Sequence, residues 1–327
     1  MIEVKNLVKQ YGAHKAVENI SFRIEDGEIV GFLGPNGAGK STTMNIITGY
    51  LSATSGQAIV EGYDILEEPD KAKKNVGYLP ELPPLYLDMT VKEYLNFMYD
   101  LKKCKLPRAR HLQEICELVK IEHVAGRLIK NLSKGYRQRV GFAQALIGNP
   151  KVLILDEPTV GLDPTQIAEM RDLIKRLGKQ HTVILSSHIL SEIESVCDRI
   201  IIINEGHIIA DDTAQGLSNT YSNDHRLYVT VAGPRAEVTA LLKNIPGVKR
   251  VEVIGTRDNA TEYGLDVEDG KPVSATLFER LADRRWPLLG SYNRKLSLEE
   301  IFLQLTQKDS MSRRGREANN KKGGKQR

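Results

Sequence analysis

Long apolar runs are missing from this chain. No stretch reaches the roughly 18 consecutive apolar residues that let a helix cross a bilayer, so nothing in the sequence is expected to span a membrane. The longest apolar segments, such as Ile200 to Ile203, have the length of strands. Cysteine is scarce: Cys104, Cys116 and Cys197 form no CxxC pair and no metal-ligand spacing, which excludes a disulfide framework and a zinc site. No basic start leads into an apolar segment with a small-residue cleavage site. A cytosolic chain with reduced thiols is therefore expected. A strong charge imbalance is also lacking. The net charge is +4 over 327 residues, and positions 308–327 alone hold eight Lys or Arg against two Asp or Glu. The rest is close to neutral, which argues against a nucleic-acid binder that is basic across its body. There are no internal repeats.

What is present reads as two folded parts and a tail. Over residues 1–220 short apolar segments alternate with helical patterns. Ile2 to Leu7, Ile29 to Leu33, Val152 to Leu155, Thr182 to Leu185 and Ile200 to Ile203 read as strands, and Ser41 to Thr48 reads as a helix. Uniformly apolar strands between helices predict an α/β domain whose parallel sheet is covered on both faces. Residues 89–146 lack strand signals; Val91, Tyr94, Leu95 and Met98, and again Leu112, Ile115, Cys116 and Val119, fall at helical spacing. They predict a helical insert. Residues 225–307 read as β-α-β-β-α-β, the order of a small ferredoxin-like α+β domain. Its closing helix starts at Ser297, with Glu300 completing a capping box. The tail, 308–327, has almost nothing apolar and is expected to be disordered.

Two motifs carry chemistry. Gly34, Pro35, Asn36, Gly37, Ala38, Gly39, Lys40 and Ser41 match GxxxxGK[ST], with a predicted strand before and a predicted helix after. Small residues let backbone N–H groups curl round phosphates, and the positive end of the helix adds to that field. Lys40 would reach the β- and γ-phosphates, and the Ser41 hydroxyl would ligate Mg²⁺. The second motif, Val152 to Pro158, is an apolar strand ending in Asp156 and Glu157. Asp156 can enter the Mg²⁺ shell. Glu157, facing differently, can orient and deprotonate an attacking water, a contribution of about 10²–10⁴-fold in rate.

Between these motifs lies Leu132-Ser133-Lys134-Gly135-Tyr136-Arg137-Gln138-Arg139; after them come Gly161-Leu162-Asp163 and Ser187-His188. Together they resemble ATP-binding cassette (ABC) ATPases, whose signature is of the LSGGQ type. The resemblance covers residues 1 to about 215 and implies a P-loop NTPase of ABC type that binds ATP and Mg²⁺. It implies that Tyr11 stacks on adenine and that Gly34 to Thr42 hold the phosphates. By the same resemblance Glu81 sits near Mg²⁺, and Ser133 and Gly135 contact the γ-phosphate of ATP on a second subunit. Asp163 links the two sites, and His188 senses the γ-phosphate. Three positions depart from the family pattern: Glu81 stands for Gln, Lys134 for Gly and Tyr136 for Gln.

The likeness is finer to the ATPases of bacterial multidrug, sodium and gliding-motility export systems, through Gly77-Tyr-Leu-Pro-Glu81 and the closing Leu298-Glu-Glu-Ile-Phe302-Leu. It implies a homodimer, or a heterodimer with a second ABC ATPase, placed peripherally on the cytoplasmic face of a membrane. Separate integral membrane permease subunits would dock around Tyr78 to Tyr94 and the insert, and ATP-dependent dimer closure would power export. A soluble ABC ATPase acting on ribosomes or nucleic acid is the alternative. The single cassette and the lack of heptad coiled coils weigh against it, so no nucleic-acid partner is expected.

Overall fold

The computed structural model describes residues 1–187, 189–221, 226–257, 259–268, 273–293, 297–307 and 309. Its contacts form two compact units: Met1–Ala214 together with the segment from Phe302, and Gln215–Ile301. The first division thus falls after Ala214 rather than at 220, and the segment from Phe302 belongs with the first unit rather than with the expected 225–307 domain. One hydrogen bond ties that segment in: Asn204 Nδ2 donates to Asp309 Oδ2 at 2.8 Å. Of the expected 308–327 tail, all but Asp309 lies outside the described residues.

The first unit is built on a six-stranded sheet ordered β10-β9-β3-β8-β7-β6. Its members are β3 (Ile29–Leu33), β6 (Val76–Leu79), β7 (Val152–Asp156), β8 (Thr182–Ser186), β9 (Arg199–Asn204) and β10 (His207–Asp212). All pairs are parallel except β9 with β10. Every residue of β3, β7 and β8 is buried, as a sheet covered on both faces requires. The parallel register matters most. Phe32 lies opposite Ser186, and Ser186 lies opposite Asp156. The carboxyl ends of β3, β7 and β8 therefore meet at one edge, where open α/β sheets place their ligands.

A second sheet, β2-β1-β4-β5, is antiparallel. It comprises β1 (Ile2–Tyr11), β2 (His14–Ile24), β4 (Ser55–Val60) and β5 (Tyr63–Asp64). Ile2, Val4, Leu7, Ile20, Phe22 and Ile24 share a core with Phe32 of β3 and Met44 of α1 (Lys40–Ile47). The eleven-residue β2 was not predicted. Its alternation is broken at Asn19, whose φ is +52°, and the pairing with β1 slips between Val4 and Leu7, around Asn6 at φ +47°. Such offsets shift which residues face inward and blur the two-residue period. A short helix, α2 (Pro69–Lys74), leads into β6.

The helical insert comprises α3 (Val91–Leu101), α4 (Arg108–Val119) and α5 (Lys134–Leu146). A capping box of Thr90 and Glu93 starts α3. At the other end of the insert, Lys102 is folded inward. Its Nζ donates to the carbonyls of Gln144 at 2.9 Å, Ala145 at 3.3 Å and Ile147 at 3.1 Å. These are the open carbonyls that end α5. Burial pushes the amine down to about 8, so it keeps its proton at neutral pH, and the negative end of the helix favours that charge. The remaining helices of this unit are α6 (Pro164–Gly178) and α7 (Leu190–Val196).

The second unit begins with α8 (Ala214–Tyr221) and runs β11 (Arg226–Ala232), α9 (Arg235–Lys243), β12 (Val248–Arg257), β13 (Ala260–Val267), α10 (Val273–Asp283) and β14 (Leu288–Asn293). Its sheet is antiparallel in the order β12-β13-β11-β14, the arrangement of a ferredoxin-like sandwich. Val229, Val231, Tyr263 and Leu265 of the sheet bury against Val238 and Leu242 of α9 and Leu277 and Leu281 of α10. Residues 298–307 are helical, and Ser297 and Glu300 make the reciprocal capping bonds.

Replacing Lys102 with Met keeps the buried stem and removes the donor. The variant is expected to lose about 1–3 kcal/mol of stability, read as a lower urea midpoint; an unchanged midpoint would mean the three carbonyls find water instead.

Candidate functional site

The loop between β3 and α1 is shaped by two close approaches. A Cβ on Gly34 would lie 2.3 Å from the Ile203 carbonyl oxygen, and one on Gly39 would lie 2.5 Å from the Ala16 carbonyl oxygen. Gly39 also has φ +109°, which a side chain would resist. Strands of the two sheets, β9 and β2, thus press the loop from both sides and leave Pro35, Asn36 and Gly37 exposed at its crest. Gly206 N donates to the Ala38 carbonyl at 2.9 Å and holds the loop's far limb. No acid occupies the first turn of α1, so its positive end is uncompensated by its own side chains. Lys40 curls back under the loop, with Nζ donating to the Gly34 carbonyl at 2.6 Å and the Pro35 carbonyl at 3.2 Å. Burial lowers its pKa; the carboxylates of Glu157 and Asp156 pull the other way. Ser41 is exposed and Thr42 half-buried at the start of α1.

Asp156 and Glu157 stand at the neighbouring strand end. Asp156 is buried and accepts a hydrogen bond from Ser186 Oγ, the residue opposite it on β8. The Glu157 N–H donates to Ser186 Oγ at 3.1 Å and to the Ser186 carbonyl at 3.2 Å. Glu157 itself has φ +50°. That left-handed turn ends the strand at once and swings the second carboxylate away from the first, a conformation costly for a non-glycine residue and typical of functional turns. Tyr78, on β6, reaches the same place. Its hydroxyl donates to Asn45 Oδ1 at 3.3 Å. Burial first, and then the charge of Asp156, push its pKa up to about 12. Sequence reading missed Ser186, Tyr78 and Asn45 as parts of this site. A fully buried serine closing an apolar strand was the one available signal.

The structure brings Lys40, Asp156 and Glu157 together, with Ser41 at the head of the same helix. Oxygen donors are what a hard cation such as Mg²⁺ takes, and the Ser41 hydroxyl and the Asp156 carboxylate supply them. Tyr11 ends β1 and is exposed, with Lys9 Nζ 5.2 Å from the ring centroid. Glu81 is exposed, two residues past β6. His188 lies outside the described residues.

Ser133, Gly135 and Asp163 form a second cluster. Ser133 caps α5, its Oγ accepting from Tyr136 N at 3.4 Å. Asp163 caps α6, its Oδ1 accepting from Gln166 N at 2.9 Å. A Cβ on Gly135 would lie 2.5 Å from Gln166 Oε1, and one on Gly161 would lie 2.2 Å from Lys134 Nζ. The two helix starts are thus packed glycine to side chain. Among the described residues no hydrogen bond or ion pair joins Ser133 or Gly135 to residues 34–42. The Tyr136 hydroxyl hydrogen-bonds His123 Nε2 at 2.9 Å, which gives the tyrosine in this signature a structural partner.

Comparison with known proteins agrees with this geometry. The sequence pattern of the ABC transporter family matches residues 17–160. The bacitracin transport ATP-binding protein of Bacillus licheniformis is 38% identical over 213 residues, 64% of this chain and 69% of that protein. The linearmycin resistance ATP-binding protein of Bacillus subtilis (strain 168) is 35% identical over 313 residues, 94% of this chain and 98% of that one. A solved ABC cassette dimer in a post-hydrolysis state, bound to ADP and Pi, superposes with a TM-score of 0.60 at 26% identity, covering 65% of this chain and 98% of its own.

Replacing Ser186 with Ala withdraws a donor from buried Asp156. The variant is expected to be about 1–3 kcal/mol less stable, seen as a lower melting temperature; an unaltered melt would mean that another donor takes its place.

Proposed function

The chain belongs to the family of ABC transporter ATP-binding proteins, and from that premise we propose that it powers export through separate membrane permeases by closing, with a second copy of itself, over MgATP. It binds ATP and is an ATPase. The observation that carries the mechanistic reading is the shared edge of β3, β7 and β8, where Lys40, Asp156 and Glu157 converge.

The loop from Gly34 to Thr42 surrounds the phosphates with backbone N–H groups. An arriving triphosphate offers Lys40 an anion in place of its own loop carbonyls and offsets the burial that disfavours its charge. Ser41 and Asp156 would hold Mg²⁺, which when bound would neutralise phosphate charge. Glu157, turned out of the strand by its positive φ, accepts the proton of the attacking water. Tyr11 offers an exposed ring to adenine. By the family resemblance His188 would sense the γ-phosphate, and Glu81 would lie near Mg²⁺ and the permease.

Ser133, Gly135 and Asp163 sit on two helix starts locked to each other and not to their own P-loop. That supports a role in trans, against nucleotide on the other copy. ATP then binds the closed pair better than the open one, and this difference is what drives closure. Hydrolysis removes the shared ligand. The cassette dimer with ADP and Pi is consistent with such a cycle.

For the permease, the stretch after β6 presents Leu82, Tyr86 and Leu87 as exposed apolar side chains, joined by Phe97 of α3, whose ring meets Tyr86 edge-on at 5.4 Å. Exposed apolar clusters of this kind mark interaction sites. No helix among the described residues is long and apolar enough to cross a membrane, so the permease would be a separate chain and this one peripheral on its cytoplasmic face. Relatives named for bacitracin transport and linearmycin resistance support export as the direction.

Glu157→Gln is expected to bind ATP normally and to hydrolyse it at least about tenfold more slowly. Lys40→Ala is expected to lose ATP binding. Equilibrium binding of a fluorescent ATP analogue and phosphate release measure the two; full turnover by the first variant would remove the assigned base. Tagged Glu157→Gln protein with ATP should co-purify a polytopic membrane protein from detergent-solubilised native membranes. Ribosomal proteins or nucleic acid in its place would favour the soluble alternative.

A further inference from the structure

One buried carboxylate outside the nucleotide motifs is tied to both halves of the catalytic edge. Glu192, on α7, is 2% exposed. Its Oε2 accepts from Thr159 Oγ1 at 2.7 Å and from Ser187 Oγ at 3.0 Å. Thr159 and Ser187 are themselves buried, so water does not compete for these bonds. Thr159 lies two residues after Glu157 and opens the turn that runs to Asp163, its carbonyl accepting from Leu162 N at 3.1 Å. Ser187 follows Ser186, the residue that holds Asp156 and the Glu157 N–H, and its Oγ also accepts from Ile189 N at 3.0 Å. A single oxygen thus fixes the segment that carries the general base and the segment on either side of position 188.

The other oxygen of Glu192 is not satisfied. Oε1 has no hydrogen-bond partner, and neither has Nε of Arg171, a residue of α6. The nearest approach between the two groups is 3.8 Å, from Arg171 Nη2 to Oε1. That is an ion pair about 1 Å short of a charge-assisted hydrogen bond. An orphaned carboxylate oxygen at this depth is costly, and a small movement of α6 toward α7 would relieve it. The first turn of α6 is capped by Asp163. Asp163 and Arg171 are thus carried on one helix.

We propose that Glu192 is a positioning residue for ATP hydrolysis, its carboxylate clamping the turn after Glu157 to Ser187 so that the base and Ser187 are set as one unit. This rests on the reading of Glu157 as the general base. The clamp touches no part of the substrate, so its removal acts on the chemical step rather than on binding. Positioning shells of this kind typically contribute about 10–100-fold.

The test uses the full chain and compares Thr159→Val, which keeps the shape and deletes the hydroxyl, with Thr159→Ser, which keeps the hydroxyl. Ser187→Ala cuts the other arm. Turnover, KM for ATP and melting temperature are measured for each, with Glu157→Gln alongside. Thr159→Val and Ser187→Ala are expected to lower kcat by about tenfold or more, with KM within about twofold, at a temperature well below the lowered melt that loss of a donor to a buried carboxylate brings, while Thr159→Ser retains the rate. Equal rates for Thr159→Val and the unaltered chain would overturn the clamp. So would equal losses in the Val and Ser variants, since that marks packing rather than the hydrogen bond. Fast turnover by Glu157→Gln would overturn the reading beneath it; slow Glu157→Gln with fast Thr159→Val and Ser187→Ala would overturn the clamp alone.

Discussion

The register of three parallel strands governs this molecule. Phe32, Ser186 and Asp156 lie side by side on β3, β8 and β7. All else at the site follows from where those strands stop. Immediately beyond β3 the chain can make a glycine loop pressed between Ile203 and Ala16. Beyond β7 it turns sharply at Glu157, and beyond β8 it supplies Ser187 to the same neighbourhood. A slip of one residue in any pair would put Ser186 out of reach of Asp156 and turn alternate side chains to the other face. Complete burial of the three strands makes such a slip expensive, because apart from Thr182 at the start of β8 and the terminal Asp156 and Ser186 they carry no polar side chain.

Two clusters divide the work. Lys40, Asp156 and Glu157 share one edge, and the charge of each is felt by Lys40. Ser133 and Asp163 each cap their own helix, α5 and α6, and Gly135 and Gly161 let the two helix starts pack against Gln166 and Lys134. A chain that carries both halves of a nucleotide site without joining them is suited to joining them across a pair. The proposed mechanical step, closure of that pair, follows from this division. Arg171, on the helix that Asp163 caps, approaches Glu192 to 3.8 Å without completing a hydrogen bond.

Much of this was legible in the sequence. The apolar runs at 29–33, 152–155, 182–185 and 200–203 named four core strands because uniform burial leaves no ambiguity of face. The ferredoxin-like order was legible because Val229, Val231, Tyr263 and Leu265 alternate cleanly. What escaped has physical causes. The strand β2 was hidden by a positive φ at Asn19 that breaks its alternation. The division after Ala214 and the return of the segment from Phe302 depend on contacts that no local pattern encodes. Lys40, Asp156 and Glu157 were named from motifs and lie near one another, whereas residues that act through a neighbour were not named. Ser186, Tyr78 and Glu192 are ordinary residue types whose roles arise only when three strand ends converge. His188 was named from its motif and lies outside the described residues.

The central claim is that nucleotide is shared between two copies of the chain. Sedimentation velocity of the Glu157→Gln protein, with and without MgATP, tests it most directly. The account predicts a single-chain mass without nucleotide and a two-chain mass with it, and no such shift when Ser133 is replaced by Arg in the same background. A Glu157→Gln protein saturated with ATP that still sediments as one chain would contradict it.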